Sequence, residues 1–284
     1  MRLFFLTGLL LFVLLSGCVN VTTLSVRDLN QFPETTTRDF LFATANGKAE
    51  AYLTRPRGPG PFPLMLLLHG HSWFGIGASR LLPAAQFFAS ELCYATLALS
   101  LPGYGRTEIV GGPTAEITRQ VVLDAVKLAR QLPWIDANRL YVYGFSRGAV
   151  VATAMINQIE SVKGALLLAG AYDLPRLYRD TESIWIKKLL NPNADLDPKL
   201  QNFLPETDRW SAPILILHGV QDPMIPVSQA NLLHDQLQRL GKPHRLVLLP
   251  DRGHWLRFDE IKQPAVSFLK ENGGSACAAN PNDP

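Results

Sequence analysis

One short stretch near the middle of the chain joins an apolar run, a glycine-flanked serine and a helical pattern. Residues 140–143 are rich in β-forming side chains and lead directly into a Gly-x-Ser-x-Gly motif centred on Ser146. A helix-like pattern follows at once over residues 149–159. A strand that turns this sharply into a helix needs Gly144 and Gly148, because a Cβ at either position would keep the two elements apart. The stretch therefore predicts a nucleophile elbow that presents the Ser146 hydroxyl near the positive end of a helix dipole.

The composition favours one sizeable globular domain with a large core. The chain has 284 residues, of which 47% are hydrophobic and 18% are charged, and single α/β domains commonly reach this size. The net charge is only +3 and no run of Lys or Arg stands out, so the sequence does not predict a nucleic-acid partner. No cluster of Cys or His has metal-site spacing, and we expect neither a metal nor a cofactor.

The N-terminus has the pattern of an export signal. Arg2 precedes an apolar run over residues 3–15, which is too short to span a membrane as a helix. The run ends in Leu-Ser-Gly-Cys at residues 15–18, which resembles the lipobox of bacterial lipoproteins. The resemblance implies a signal peptide over residues 1–17, lipidation of Cys18 and a membrane anchor on the cell envelope. Val19 after the cysteine favours the outer membrane in a diderm host; the alternative is a plain signal peptide with an incidental cysteine.

The hydrophobic pattern divides the rest of the chain. Residues 18–36 are polar and predict a tether, and residues 273–284 predict a flexible tail. Between them, residues 37–272 predict one domain that opens with a β-hairpin, because Asn46-Gly47 suits a type I′ turn. Apolar strands then alternate with amphipathic helices, which predicts a mostly parallel sheet covered by helices on both faces. The predicted strands cover residues 64–68, 94–99, 140–143, 165–168, 214–217 and 244–249, and the predicted helices cover residues 78–92, 114–132, 149–159, 228–240 and 259–270.

The stretch around residues 172–211 interrupts this alternation. It contains four prolines and several aromatic side chains, and it predicts a helical cap inserted between two strands. The alternative is a surface excursion without a function. Of the remaining cysteines, Cys93 lies in an apolar stretch and Cys277 in the polar tail. They are either a buried thiol and a free one or a disulfide formed in an oxidising compartment.

A serine nucleophile needs a base, and the base needs an acid that orients it. Asp222 follows the strand at residues 214–217, and His254 follows the strand at 244–249. Both positions open on the same edge of a parallel sheet as Ser146, which is where open α/β sheets place their sites. Asp173 is a rival acid after an earlier strand, whereas Asp251 is too close to His254 along the loop to orient it.

These motifs jointly resemble the α/β-hydrolase superfamily, and most closely its dienelactone-hydrolase-like and prolyl-oligopeptidase-like branches, over residues 40–270. The resemblance is carried by Gly144-Phe145-Ser146-Arg147-Gly148, His218-Gly219 with Asp222, Gly253-His254, His69-Gly70-His71 and Pro102-Gly103-Tyr104-Gly105. It implies that Ser146 is the nucleophile, His254 the general base and acid, and Asp222 the orienting carboxylate. Dienelactone hydrolases proper carry cysteine in the elbow, so this chain departs from them there.

An oxyanion hole also needs two backbone N–H groups near the serine. Arg147, which follows the nucleophile, should supply one, and His71 in the His-Gly-His loop should supply the other. The Arg147 side chain is suited either to an acidic substrate or to pairing with a nearby carboxylate. His69 and His218 are expected to hold loops by hydrogen bonds.

The predicted function is hydrolysis of a carboxylic ester or related acyl bond in a small molecule, through an acyl-enzyme on Ser146. Esters are favoured because they need the least help for the leaving group. A peptidase acting on short peptides is the nearest alternative. A non-catalytic lipoprotein that binds a ligand on the same fold is the alternative from a different class.

Overall fold

The structure, a computed structural model, describes residues 24–31, 33–34, 36–190 and 202–273. The predicted signal peptide, Cys18, Cys277, the end of the tail and residues 191–201 of the predicted cap lie outside these ranges. Among the described residues, no helix has the length and apolar character needed to cross a membrane. Cys93 is disulfide-bonded, and Cys277, its partner in one of the two alternatives left open above, is one of the residues that are not described.

The described elements follow the predicted alternation. The strands are β1 (Thr37–Thr44), β2 (Gly47–Thr54), β3 (Phe62–Leu68), β4 (Ala95–Leu99), β5 (Glu108–Ile109), β6 (Ile135–Phe145), β7 (Val162–Leu168), β8 (Ile214–Gly219) and β9 (His244–Leu249). The α-helices are α1 (Val26–Asn30), α2 (Leu82–Leu92), α3 (Ala115–Ala129), α4 (Arg147–Met155), α5 (Leu174–Asp180), α6 (Ile184–Leu190), α7 (Ser228–Arg239) and α8 (Phe258–Glu271). Short 3₁₀ helices cover Ala78–Leu81 and Leu204–Arg209.

One open, twisted sheet organises the domain. Its strand order is β1-β2-β4-β3-β6-β7-β8-β9, and β5 pairs with β2 outside this path. The pairs β4–β3, β3–β6, β6–β7, β7–β8 and β8–β9 are parallel. The pairs β1–β2, β2–β4 and β2–β5 are antiparallel. The predicted hairpin is therefore the antiparallel edge of a mostly parallel sheet, and the crossover helices lie on both of its faces.

The side chains of the central strand β3 point alternately to the two faces of the sheet and enter a different apolar cluster on each face. All seven of its residues are buried. Leu64, Leu66 and Leu68 enter the cluster that α3, α4 and α7 cover, whereas Met65 and Leu67 enter the cluster that α2 and α8 cover. A strand that is apolar on both faces suits only the middle of a two-sided α/β sheet, and this places the carboxyl end of β3 at the centre of the molecule.

The segment between β7 and β8 forms a third apolar cluster of its own. It contains α5, α6 and the 3₁₀ helix Leu204–Arg209. Leu177, Ile186 and Phe203 pack there with Ile225 from the loop after β8. Part of the predicted cap is therefore helical, and it rests against the loop that carries Asp222.

Residues 24–31, which lie within the predicted tether, pack onto the domain. Ser25 begins α1 with a capping box in which it and Asp28 bond each other's backbone N–H groups. Leu29 is fully buried in the same cluster as Phe40 and Phe42, and the backbone N–H of Leu24 donates to the carbonyl of Leu41. The polar sequence concealed this contact because one buried leucine in a five-residue helix leaves no periodic signal.

We predict that Leu29→Ala lowers the free energy of unfolding by about 2–5 kcal/mol, because it leaves a cavity under β1. Urea denaturation measures this change. Gln31→Ala, at an exposed neighbouring position, should change stability by less than about 0.5 kcal/mol. Equal effects of the two substitutions would show that residues 24–31 do not dock on the domain.

Candidate active site

The serine predicted to be the nucleophile lies at a strained turn between β6 and α4. Ser146 has φ 53° and ψ −118°, a region that costs a residue with a Cβ free energy. The turn is held because the Ser146 N–H donates to the carbonyl of Leu168 at 2.8 Å. Ser146 precedes the first residue of α4, so its side chain lies at the positive end of the helix dipole.

Two glycines let three segments meet at this turn. A Cβ on Gly148 would lie far inside the van der Waals radius of the Leu68 carbonyl oxygen at the end of β3. A Cβ on Gly70 would lie 3.1 Å from the Cβ of Ser146 and 2.9 Å from the Phe145 ring. The first glycine allows α4 to approach β3, and the second allows the loop after β3 to approach the nucleophile.

Ser146, His254 and Asp222 form one chain of hydrogen bonds. The His254 Nε2 lies 2.9 Å from the Ser146 Oγ, and the His254 Nδ1 lies 2.7 Å from the Asp222 Oδ2. All three residues are buried. The network assigns the proton of a neutral His254 to Nδ1, where it donates to the carboxylate, and leaves Nε2 to accept the serine proton.

The loop after β8 fixes the carboxylate of Asp222. The backbone N–H groups of Met224 and Ile225 both donate to Oδ1, at 2.8 and 2.9 Å. His218 Nε2 donates to the Ile225 carbonyl at 2.9 Å and lies 3.5 Å from Oδ2. Burial opposes ionisation, but the hydrogen bonds from His218 and His254 outweigh it and hold the pKa of Asp222 well below its ordinary value. The carboxylate is therefore charged and ready to orient an imidazole.

The rival acids have other positions. Asp173 caps α5, and its Oδ1 accepts a hydrogen bond from the Arg176 N–H at 2.9 Å. Asp251 is exposed. His234 and His244 lie 2.8 Å apart, joined by a hydrogen bond between their rings. The structure brings none of these four side chains into the hydrogen-bond chain at Ser146.

The two predicted oxyanion donors flank the serine. Arg147 is the first residue of α4, so its backbone N–H is one of those that a helix leaves without an internal acceptor. His71 lies in the loop after β3, and its Nδ1 is 2.5 Å from the Tyr104 hydroxyl. Their role as oxyanion donors stays a prediction.

His69 holds this loop in place by two hydrogen bonds to backbone groups. Its Nδ1–H donates to the Gly70 carbonyl at 2.7 Å, and its Nε2 accepts from the Leu101 N–H at 3.0 Å. Burial, reinforced by the charges of Arg147 and Arg80, lowers the pKa of His69 to about 4. A neutral imidazole is what both hydrogen bonds require, as the sequence predicts for a histidine that holds a loop.

Sequence reasoning missed an aromatic mouth around the site. Trp73, Trp185 and Trp255 are 57%, 53% and 55% exposed. Trp73 packs edge-on against His71 and Trp185, with ring centroids 4.6 and 5.3 Å apart. Trp255 lies 5.4 Å from the His254 ring. These side chains come from three distant segments, and only Trp255, next to His254, carried a local signal.

An open, mostly parallel sheet with a serine elbow between β6 and the helix that follows it defines an α/β-hydrolase fold. Within the described part of the chain, no three His, Cys, Asp or Glu side chains come together as metal ligands do. Residues 116–271 match the model of the prolyl oligopeptidase family. The chain belongs to that family.

Known proteins of two kinds are similar to it. Dipeptidyl-peptidase 5 of Porphyromonas gingivalis is 26% identical over 60% of this chain, which spans only 26% of that relative. Among solved structures, an acylaminoacyl peptidase bound to Z-Gly-Gly-Phe-chloromethyl ketone has a TM-score of 0.70 at 16% identity, covering 88% of this chain and 43% of its own.

Two further structures match over nearly their whole length. The Pyrococcus furiosus esterase Pf2001 has a TM-score of 0.64 at 17% identity, covering 89% of this chain and 96% of its own. A solved structure described as a putative dienelactone hydrolase from Klebsiella pneumoniae has a TM-score of 0.61 at 18% identity. It covers 83% of this chain and 97% of its own. Both branches of the resemblance seen in the sequence are therefore present among the structural neighbours.

We predict that Gly148→Ala destabilises the protein by at least about 3 kcal/mol, because the new methyl group forces α4 away from the end of β3. Thermal and urea unfolding measure the loss. Gly253→Ala is the matched control, since a Cβ there meets its nearest atom at 3.5 Å. Equal stability of the two variants would contradict a close contact between α4 and β3.

The buried His69 should make stability depend on pH. Its pKa is about 4 in the folded chain and 6.5 as the ordinary value, so between these values the unfolded chain binds the extra proton. The free energy of unfolding should therefore fall as the pH falls from 6.5 toward 4. From about pH 7 to pH 5, His69 contributes a decrease of about 2 kcal/mol.

The measurement compares urea denaturation of the native protein and His69→Gln at both pH values. Glutamine does not titrate, so the variant should lose less stability on acidification than the native protein does. An identical pH dependence in the two proteins would mean that His69 is not buried in its neutral form.

Proposed function

We propose that this chain hydrolyses a carboxylic ester through an acyl-enzyme on Ser146. The observation that carries the proposal is the hydrogen-bond chain in which His254 lies 2.9 Å from Ser146 and 2.7 Å from Asp222. This arrangement activates a hydroxyl that is otherwise a poor nucleophile at neutral pH.

The reaction proceeds in two steps. His254 takes the proton of Ser146 as the Oγ attacks the carbonyl carbon, and the backbone N–H groups of Arg147 and His71 hold the oxyanion. The imidazolium formed is stabilised by Asp222, and it gives its proton to the departing alcohol. Water, deprotonated by the same histidine, then attacks the acyl-enzyme, and the imidazolium returns its proton to the Ser146 Oγ as the acid is released.

An ester is favoured over an amide on chemical grounds. An alcohol or a phenol leaves more readily than an amine, so cleavage of an ester depends less on the proton that His254 donates to the leaving group. The match to an esterase over 96% of that chain's length supports this substrate class.

Peptide hydrolysis is the second candidate function. The family match and the named relative, dipeptidyl-peptidase 5, favour it. This chain spans about a quarter of that relative, so the substrates of the whole relative do not follow from the shared part. A non-catalytic ligand-binding role is the third candidate, and the intact hydrogen-bond chain at Ser146 speaks against it.

The proposal includes an exported, lipid-anchored protein. The lipobox-like residues 15–18 support lipidation of Cys18. A disulfide-bonded Cys93 supports an oxidising compartment. Metabolic labelling with a fatty acid, compared between the native chain and Cys18→Ala, tests the anchor without involving catalysis.

We predict turnover of p-nitrophenyl esters that is highest for short acyl chains, when acetate to decanoate are compared by initial rates. Ser146→Ala should lower kcat by about a thousandfold or more, because no other group replaces the nucleophile. Ser90→Ala, at an exposed serine on α2, should retain the native rate and controls for the loss of a hydroxyl elsewhere.

A fluorophosphonate probe separates the candidates. Labelling of the native protein but not of Ser146→Ala, together with ester turnover, supports the esterase. Labelling with turnover only of Xaa-Pro anilides would replace the ester by a short peptide. Folded protein that neither labels nor turns over any substrate would leave a binding protein.

A further inference from the structure

Two arginines converge on the loop that carries the second oxyanion donor. The Arg80 Nη1 donates to the backbone carbonyl of His71 at 3.4 Å. The Arg147 guanidinium lies over the ring of Tyr104 at 5.5 Å, and the hydroxyl of this tyrosine bonds His71. Both side chains therefore flank His71, one at the mouth of the site and one next to the nucleophile.

Neither guanidinium has a carboxylate partner among the described residues. Other arginines of the chain do: Arg106 pairs with Asp39 and Glu50, Arg139 with Asp136, Arg176 with Asp180 and Arg252 with Glu260. The Arg147 Nε is buried and has no hydrogen-bond partner in the described structure. A buried donor without an acceptor costs free energy, so a group that is absent from the free protein should satisfy this arginine.

The acids of this region have other partners, and Glu50 pairs with Arg106. Asp222 is buried and holds His254, Met224 and Ile225 by hydrogen bonds. The positive charge beside Ser146 is therefore left for a ligand. Charges that face a cleft with low-dielectric walls act more strongly than charges on an open surface.

The positions of the two arginine side chains indicate which chemical group of a ligand they can bind. Arg80 stacks on the exposed ring of Trp255 at 5.0 Å, and Trp255 adjoins His254. Arg147 is half-buried and held against the buried Tyr104. A planar guanidinium fixed by an aromatic ring presents its remaining N–H groups in a fork that matches a carboxylate.

We propose that Arg80 and Arg147 form a carboxylate-binding subsite beside Ser146, so that the preferred substrate carries a free carboxylate near the bond that is cleaved. This inference rests on the proposed ester hydrolysis and narrows its substrate class. The carboxylate belongs either to the acyl part or to the leaving group, and the same chemistry recognises both.

The test uses two pairs of esters, and in each pair the neutral member is the methyl ester of the anionic one, with rates corrected for spontaneous hydrolysis. Mono-p-nitrophenyl adipate and its methyl ester place the carboxylate in the acyl part. p-Acetoxybenzoate and its methyl ester place it in the leaving group. In at least one pair, kcat/KM for the anion should exceed that for the neutral ester by about tenfold or more, as a charge-assisted hydrogen bond provides. Added salt should reduce the preference.

Substitutions show which side chains cause the preference for the anionic ester. Arg147→Met and Arg80→Met should each lower the ratio of anionic to neutral kcat/KM by about tenfold, and Arg147→Lys should retain part of it. Arg119→Met removes the same charge from the exposed side of α3, where Arg119 pairs with Glu116, and should leave the ratio unchanged. Thermal unfolding and fluorophosphonate labelling of each variant show that the fold and Ser146 are intact.

The outcomes separate this inference from the proposed function. Cleavage of the neutral esters as fast as the anions, or a ratio that neither Arg147→Met nor Arg80→Met changes, overturns the subsite while ester hydrolysis stands. If Arg147→Met or Arg80→Met lowers kcat/KM equally for the anionic and the neutral ester of a pair, the arginines act only on the oxyanion or on the loop. No turnover of any of the four esters by folded native protein overturns both.

Discussion

The site depends on the contact between the N-terminus of α4 and the carboxyl end of β3. Gly148 lies so close to the Leu68 carbonyl that no side chain fits between them. This contact holds Ser146 at a positive φ and keeps the first turn of α4 beside the loop of His69 and His71. One close approach thereby places the nucleophile beside the loop that carries His69 and His71.

The histidine and the acid are positioned by a different means. They lie after β8 and β9, toward the edge of the sheet that lies away from the hairpin, and hydrogen bonds rather than tight packing set their geometry. Asp222 is fixed by two backbone N–H groups of its own loop and by His254. A charged carboxylate held this way orients the imidazole without an arginine or lysine partner, which leaves the cations near the site unneutralised.

The sequence predicted what local patterns encode. The hairpin, the alternation of strands and helices, and the strand-end positions of Ser146, Asp222 and His254 all arise from signals within a dozen residues. The strand β5 was missed because it has only two residues, and α1 because its single buried leucine gives no period. The aromatic mouth was missed because Trp73, Trp185 and Trp255 are far apart in the sequence, and their spacing along the chain does not predict that they lie around one site.

The excursion between β7 and β8 closes on itself at its base. Asp173 and Asn202 form an antiparallel bridge, and the Phe203 N–H donates to the Tyr172 carbonyl at 2.8 Å. The buried Gln229 side chain secures this base, since its oxygen accepts from the N–H groups of Tyr172 and Asp173. Because the chain leaves and re-enters the body at one point, residues added to this excursion cost loop entropy without a change in the strand register. The segment that carries Trp185 can therefore differ in length while the sheet and the elbow keep their geometry.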